Sequence, residues 1–465
     1  MKSLQIAILV AVVEGIAAFN IIGVQPEMPR ITTRQAATAY ELGDLAEEVR
    51  DQFPILSQSG QGGNKLVYLD SGATSQKPLA VLDAVDNYYR EANANVHRGA
   101  HFLANRATER YESARDKVAA FVGASRREEI VFTAGATEAI NLVVNTWGAA
   151  NLGPGDEVIL SVAEHHANLV PWQMLAERQG VLLNFVGVDE DMRYDLKHLQ
   201  SLITPRTKLI GLAHVSNVLG AVNPVKEVVA LAHTVGARVL LDACQSVPHM
   251  PVNAQALGVD WLVASGHKMC GPTGIGFLWG KYEVLEASPP WQGGGEMIDE
   301  VFLEHSTFAP PPGRFEAGTP PIAQAIGMGA ACDFLSGIGM ERVHAHERKL
   351  GRYLWDSLKG EDLGGLVLYG PSPEACEAAP WESPCERVGL VAFTSPAVHA
   401  SDLTFFLDQE GVAVRSGHHC AQPLHRDVFK VGASTRASLY IHNDESDVDA
   451  LCMAIRSSLK MFEDI

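Results

Sequence analysis

The chain has 465 residues, 47% of them hydrophobic, and a formal charge of −19. That length predicts a large domain with a smaller one beside it, and the charge argues against general affinity for nucleic acid or anionic membrane, because a phosphate backbone would be repelled. Seven cysteines, an odd number without CxxC pairs, argue against a disulfide framework or a zinc site, so no metal is expected.

The opening stretch, MKSLQIAILVAVVEGIAAFN, has Lys2, an apolar run from Leu4 to Val13, and small residues at Ala17 and Ala18 before Phe19. This is signal-peptide anatomy apart from Glu14, and the run is too short to span a membrane. The residues through Ala37 are poor in acids and contain Arg30, Arg34 and several threonines, as transit peptides do. Residues 1–38 are therefore expected to be a two-part leader of the kind that carries proteins into plastids. The alternative is an amphipathic N-terminal helix on a cytoplasmic protein. Residues 39–63 are expected to pack on the smaller domain, and no stable membrane span is expected in the mature chain.

From Asn64 onward, short apolar runs alternate with helical patterns: EEIVFTA, DEVILSV, VLLNFVGV, TKLIGLAHV, ARVLLDACQ, DWLVASG and GIGFLWG. Seven such runs predict an α/β architecture with a mostly parallel seven-stranded sheet buried on both faces. The proline and glycine break FAPPPGRFEAGTPP sets the expected boundary between a large domain at 64–320 and a smaller C-terminal α+β domain at 321–465, which includes the strands RVGLVAFTS and GVAVRSG. The acidic, proline-rich stretch around 372–386 carries Cys376 and Cys385. Sequence leaves them either as a surface redox pair or as unrelated thiols.

Open α/β sheets bind ligands beyond the carboxyl ends of their strands, so polar residues just after strands are the candidates. In FTAGATEAIN a strand ends at Thr133 and a helix begins near Thr137, whose free amides suit a phosphate. Asp242 ends an apolar strand, where a lone carboxylate is costly unless a cation or donor meets it or it caps a helix. In DWLVASGHKMCGPTGIGFLWG, Lys268 follows Ser265, Gly266 and His267 between two apolar strands. Partial desolvation there favours a nucleophilic amine that forms a Schiff base. An imine lysine, an acid for a pyridinium nitrogen and a helix N-terminus for a phosphate are together what bound pyridoxal 5′-phosphate requires.

The stretches SGHKMCGPTGIG, DACQ, AEHHANLVPW, SNVLG, VHRGAH, FEAGTP and VRSGHHCAQPLHR resemble the SUF-type, group II cysteine desulfurases of the class V aminotransferase family, over about Leu66 to Asp449. The cysteine loop and RASLYIHN are similar to the chloroplast NifS-like members. The resemblance implies the type I fold of pyridoxal-phosphate enzymes and a homodimer with active sites at the interface. It implies Lys268 as the imine lysine, Asp242 as partner of the pyridinium nitrogen, Gln245 at the ring hydroxyl and His165 stacked on the ring. Thr137, Ser265, His267 and the amide of Ala136 match phosphate ligands, and Thr319 matches a residue that reaches the other subunit's phosphate. Ala136 departs from the hydroxyl residue found in many relatives. Asn217 and Arg436 match the groups that hold the substrate carboxylate, which an arginine fork suits; His97, Arg98 and Arg415 lie in matching loops.

Cys420 is implied as the nucleophile that takes sulfur from L-cysteine as a persulfide and leaves L-alanine. Flanking His418 and His419, with Arg415, are expected to favour its thiolate. Cys244 and Cys270 read as inert core thiols. The resemblance further implies sulfur supply for iron-sulfur cluster assembly through a small acceptor of SufE or SufU type. Selenocysteine lyase, an aminotransferase, a kynureninase-like hydrolase and a non-catalytic sulfur-carrier scaffold remain alternatives.

Overall fold

A computed structural model describes residues 45–379 and 385–463. The leader expected over 1–38, and the part of the following segment up to 44, lie outside the described residues. The seven apolar runs form one sheet: β1 (Ile130–Thr133), β2 (Glu157–Ser161), β3 (Leu182–Val186), β4 (Thr207–Ala213), β5 (Arg238–Asp242), β6 (Trp261–Ser265) and β7 (Gly276–Gly280). Their spatial order is β1-β7-β6-β5-β4-β2-β3. Strands β2 to β6 run parallel, whereas β7 is antiparallel to both β1 and β6. The reason is length: the Gly/Pro turn after β6 is too short for the crossover of a dozen or more residues that a parallel partner needs.

Side chains alternate between two buried layers, as a two-residue repeat demands. Val239 and Leu241 of β5 join one core, with Leu262 and Phe277, while Leu240 joins the other, with Val158 and Val263. Apart from the edge strand β3, where Leu182 and Phe185 are exposed, both faces are therefore dry, which is why the runs read as largely apolar. One face is covered by α1 (Leu79–Glu91) and α2 (Phe102–Phe121), the other by α3 (Ala136–Val143) and the helix Val170–Gln179.

The helix α4 (Ile322–Ile338) lies beyond the boundary expected at 320, yet its Ile322, Ala325, Met328 and Leu335 share a core with Ala107, Tyr111 and Val118 of α2. Gly329 permits this approach, since a Cβ there would sit 2.8 Å from that of Ala114. A second core follows, around α5 (Met340–Leu358), α6 (Glu445–Glu463) and a four-stranded antiparallel sheet. Its strands β8 (Val367–Tyr369), β9 (Leu390–Thr394), β10 (Arg415–Gly417) and β11 (Ser434–Ser438) are ordered β8-β9-β11-β10.

The N-terminal residues span the two cores: Leu45, Val49, Phe53 and Leu56 pack in the first, Val67 and Leu69 in the second. Val67 and Tyr68 pair with Val412 and Ala413, and Asp70 bridges Ser438. Arg50 meets Asp447 at 2.8 Å, and the Phe53 ring packs on Phe334 and His442.

Candidate active site

Strands β4, β5 and β6 end side by side, which places Ala213, Asp242 and Ser265 on one rim. Beyond that rim lies a cavity of about 160 Å³ to which all three contribute. Its position at the carboxyl ends of parallel strands is the one this architecture favours for ligands.

On one side the N-terminus of α3 closes the wall. The Ala136 amide donates to Ser265 Oγ at 2.9 Å, and Thr137 faces the cavity. Gly276 makes this approach feasible: a Cβ there would lie 2.6 Å from both the Ala264 carbonyl oxygen and Gly135 Cα. The turn Gly266–Lys268 supplies His267 and Lys268 to the same wall. Burial, followed by the Lys268 and Lys77 cations, holds the His267 imidazole down to about 4.

Asp242 is buried, and its Oδ1 accepts the Cys244 amide at 3.0 Å. The carboxylate thus caps its own turn while facing the cavity, so the capping and ligand readings of this residue hold together. Gln245 Nε2 donates to the Gly72 carbonyl at 2.7 Å, which leaves Oε1 buried with no partner among the described residues. His165 Nδ1 accepts the Ala167 amide at 3.1 Å. Burial and then the Lys268 cation push this imidazole down to about 4, so a neutral flat ring faces the cavity at neutral pH.

The second sheet contributes the opposite wall. Arg436 is 1% exposed; its Nη1 donates to the Asn217 carbonyl at 3.0 Å and its Nη2 to Asp70 Oδ1 at 3.1 Å. Its Nε is buried with no partner among the described residues. Arg415, paired opposite Arg436 across β10 and β11, lines the cavity too. Burial lowers Arg436 from its usual range while Asp70 opposes that shift. Two guanidinium groups on one wall, one with a spare donor, suit a carboxylate.

Cys420 completes the lining. It and His419 adopt left-handed backbone with φ 60° and 49°, a costly choice for two consecutive side-chain-bearing residues. Two hydrogen bonds enforce it: the Asn217 amide group donates to the His419 carbonyl, and the His166 backbone amide donates to the Cys420 carbonyl, each at 2.7 Å. The expectation that His419 supplies positive charge to the thiol is corrected. Burial, with Arg436 next, drives its imidazole down to about 2, and its Nε2 faces Ser434 Oγ at 3.1 Å. The cations beside Cys420 in the cavity are Arg415, Arg436 and Lys268.

Lys268, Asp242, Gln245, His165, Ala136, Thr137, Ser265, His267, Asn217, Arg436, Arg415 and Cys420 are thus brought together in one chain. Thr319 and Arg98 are not. Thr319 is exposed, Arg98 meets Glu296 at 3.3 Å, and His97 lies 2.9 Å from Glu112. Sequence reasoning missed Asp70 and the Gly72–Ala73 turn. The signal was there, because LDSGATS places an acid and small residues directly after an apolar strand.

A lysine amine, a buried carboxylate, helix-terminal amides beside hydroxyl and imidazole donors, and the unpartnered Gln245 Oε1 converge on one cavity, so the residues fit pyridoxal 5′-phosphate. Known proteins agree. A Synechocystis protein described as a probable cysteine desulfurase is 52% identical over 92% of this chain and 98% of its own length. A Haloferax volcanii cysteine desulfurase is 46% identical over 90% and 97%. The crystal structure of the Escherichia coli cysteine desulfurase CsdA superposes with a TM-score of 0.81 at 39% identity, covering 90% of this chain and all of that one. The aminotransferase class-V model matches residues 67–451, and the chain belongs to that family.

Proposed function

We propose that this protein is a pyridoxal-phosphate-dependent cysteine desulfurase of SUF type, which converts L-cysteine to L-alanine and retains the sulfur as a persulfide on Cys420. The observation that carries the reading is the shared cavity: Lys268 and Cys420 line it together with Asp242 and Arg436. When bound, pyridoxal 5′-phosphate supplies an electron-withdrawing ring that acidifies the substrate Cα proton. Lys268 would tether it, Asp242 would keep its ring nitrogen protonated, Gln245 would meet the ring hydroxyl and His165 would stack on the ring. Ala136, Thr137, Ser265 and His267 would hold the phosphate, with Thr319 of the partner subunit reaching across a homodimer.

Arg436, helped by Arg415 and Asn217, orients L-cysteine through its carboxylate. Lys268 Nζ carries the Cα proton. Cys420 Sγ attacks the substrate sulfur, so an S–S bond forms as the substrate C–S bond breaks. The balance is one cysteine and one enzyme thiol giving one alanine and one enzyme persulfide. The loop pinned by Asn217 and His166 has little reach, which supports delivery to a small acceptor of SufE or SufU type that comes to the loop and passes sulfur on for iron-sulfur cluster assembly. Leader composition supports delivery of the chain to a plastid, which a fluorescent fusion to residues 1–38 tests in cells.

The decisive experiment uses the purified chain with cofactor, L-cysteine and a thiol reductant, measuring sulfide and alanine. Cys420→Ala keeps the visible absorbance of the bound cofactor and abolishes sulfide release. Lys268→Ala abolishes turnover. Sulfide at the parent rate from Cys420→Ala would sink the assignment.

A further inference from the structure

Away from the catalytic cavity, the stretch 372–386 brings two free cysteines together. Cys376 sits on the short helix Pro373–Glu377, and Cys385 lies nine residues further along the chain. Both thiols line one separate cavity of about 350 Å³ that shares no lining residue with the catalytic one. Arg387 is buried against this pair. Its Nη1 donates to the Pro371 carbonyl, its Nη2 to the Leu390 carbonyl at 3.0 Å, and its guanidinium lies 4.3 Å over the Trp355 ring. Arg193 Nη1 donates to the Ala375 carbonyl at 3.0 Å, fixing the helix that bears Cys376.

We propose that Cys376 and Cys385 form a reversible dithiol–disulfide site that exchanges with low-molecular-weight disulfides, Cys376 being the attacking thiol and Cys385 the resolving one. Neighbouring cations favour the thiolate that such exchange needs. The adjacent Cys385 thiol, against the opposing effect of burial and helped by Arg387 and Arg193, holds the Cys376 thiol below its ordinary range, while the Cys376 thiol and burial raise Cys385. The core thiols behave oppositely, since burial pushes Cys244 and Cys270 up to about 12.

The exchange balances. The Cys376 thiolate attacks one sulfur of R–S–S–R, forming a mixed disulfide and expelling one thiolate. Cys385 then attacks the Cys376 sulfur, closing the protein disulfide and expelling the second. The protein loses two electrons and two protons, and the external disulfide becomes two R–SH.

The test treats the full-length, cofactor-loaded chain with glutathione disulfide, then blocks free thiols by alkylation and digests with trypsin. No Lys or Arg lies between the two cysteines, so one peptide, residues 360–387, carries both. The expected result is that peptide lighter by two hydrogens and without either alkyl group, restored to two alkylations by dithiothreitol. Cys385→Ser is expected to hold one glutathione on Cys376, and Cys376→Ser to leave Cys385 alkylatable. Full alkylation of both thiols in excess glutathione disulfide, or one glutathione on each, overturns the site. Loading on Cys385 in Cys376→Ser with none on Cys376 in Cys385→Ser overturns the assigned roles. The readout is independent of desulfuration, so it stands or falls apart from the catalytic reading.

Discussion

Asn217 holds the residue before the proposed nucleophile: its side-chain amide donates to the His419 carbonyl at 2.7 Å, from a turn braced behind by Val222 bonding Glu386 and Val388 bonding Gly220. Losing a buried hydrogen bond of this kind costs about 1–3 kcal/mol. Asn217→Ala is therefore expected to free the left-handed Cys420 loop, raising the rate at which iodoacetamide labels Cys420 by about tenfold or more. Labelling separates this bracing from any contact of Asn217 with substrate. An unchanged labelling rate would show that the loop is held by other means.

Arg436 offers the cavity a planar fork whose Nη1 and Nη2 are already tied to Asn217 and Asp70, with Nε spare. A lysine keeps the charge toward Asp70 but not the fork. Arg436→Lys is expected to raise KM for L-cysteine by roughly 10–100-fold, the equivalent of about 1.5–3 kcal/mol for a charge-assisted hydrogen bond. Steady-state alanine formation checks it. A fall in kcat at constant KM would move Arg436 out of substrate binding.

Much of the fold was legible because most strands of the seven-stranded sheet carry a run of consecutive apolar residues followed by a polar one, as in IVFT, VILS, VLLD and WLVAS. Lys268, Asp242 and Ser265 were legible for the same reason, since each directly follows or ends such a run. Asp70 was missed although LDSGATS offers an acid after apolar residues, because its strand is only Val67–Tyr68 and its partner, Arg436, lies far along the chain. The placement of α4 was hidden by the proline break before it, which marks a turn without saying which core the next helix joins. The neutral state of His419 depends on burial under residues distant in sequence, which local pattern cannot show.

The FEAGTP loop that carries Thr319 is anchored by Glu316. Its Oε1 meets Arg115 Nη1 at 2.6 Å and accepts the Phe132 amide at 2.7 Å, while its Oε2 accepts from Arg115 Nη2 at 2.9 Å and Tyr111 at 3.1 Å. Arg115 is 2% exposed and keeps Glu112 at 3.1 Å, so removing Glu316 halves the carboxylate pairing of a buried cation and leaves the Phe132 amide and the Tyr111 hydroxyl without this acceptor. Glu316→Ala is expected to cost about 3–5 kcal/mol in urea unfolding, whereas Arg115→Met with Glu316→Leu recovers only part of that loss, since the Phe132 amide and Tyr111 hydroxyl stay without their acceptor. A cost below about 1 kcal/mol for Glu316→Ala would show that the network is dispensable.

His214 follows β4 with its backbone amide bonded to the Asp242 carbonyl at 2.8 Å, and burial alone pushes its imidazole down to about 4. The unfolded chain takes up the corresponding proton near pH 6.5, about two and a half units earlier. Above 6.5 neither state is protonated at this ring, so it contributes no pH dependence. As pH falls from about 6.5 toward 4, the unfolded chain binds more protons and stability drops by about 1.4 kcal/mol per pH unit for this group. His442, also buried and held down to about 4, acts in the same direction. Urea unfolding at pH 7, 6 and 5 is expected to show His214→Gln with a shallower fall in stability than the parent, by up to that slope. Parallel curves for the two proteins would mean that His214 is protonated in the folded chain.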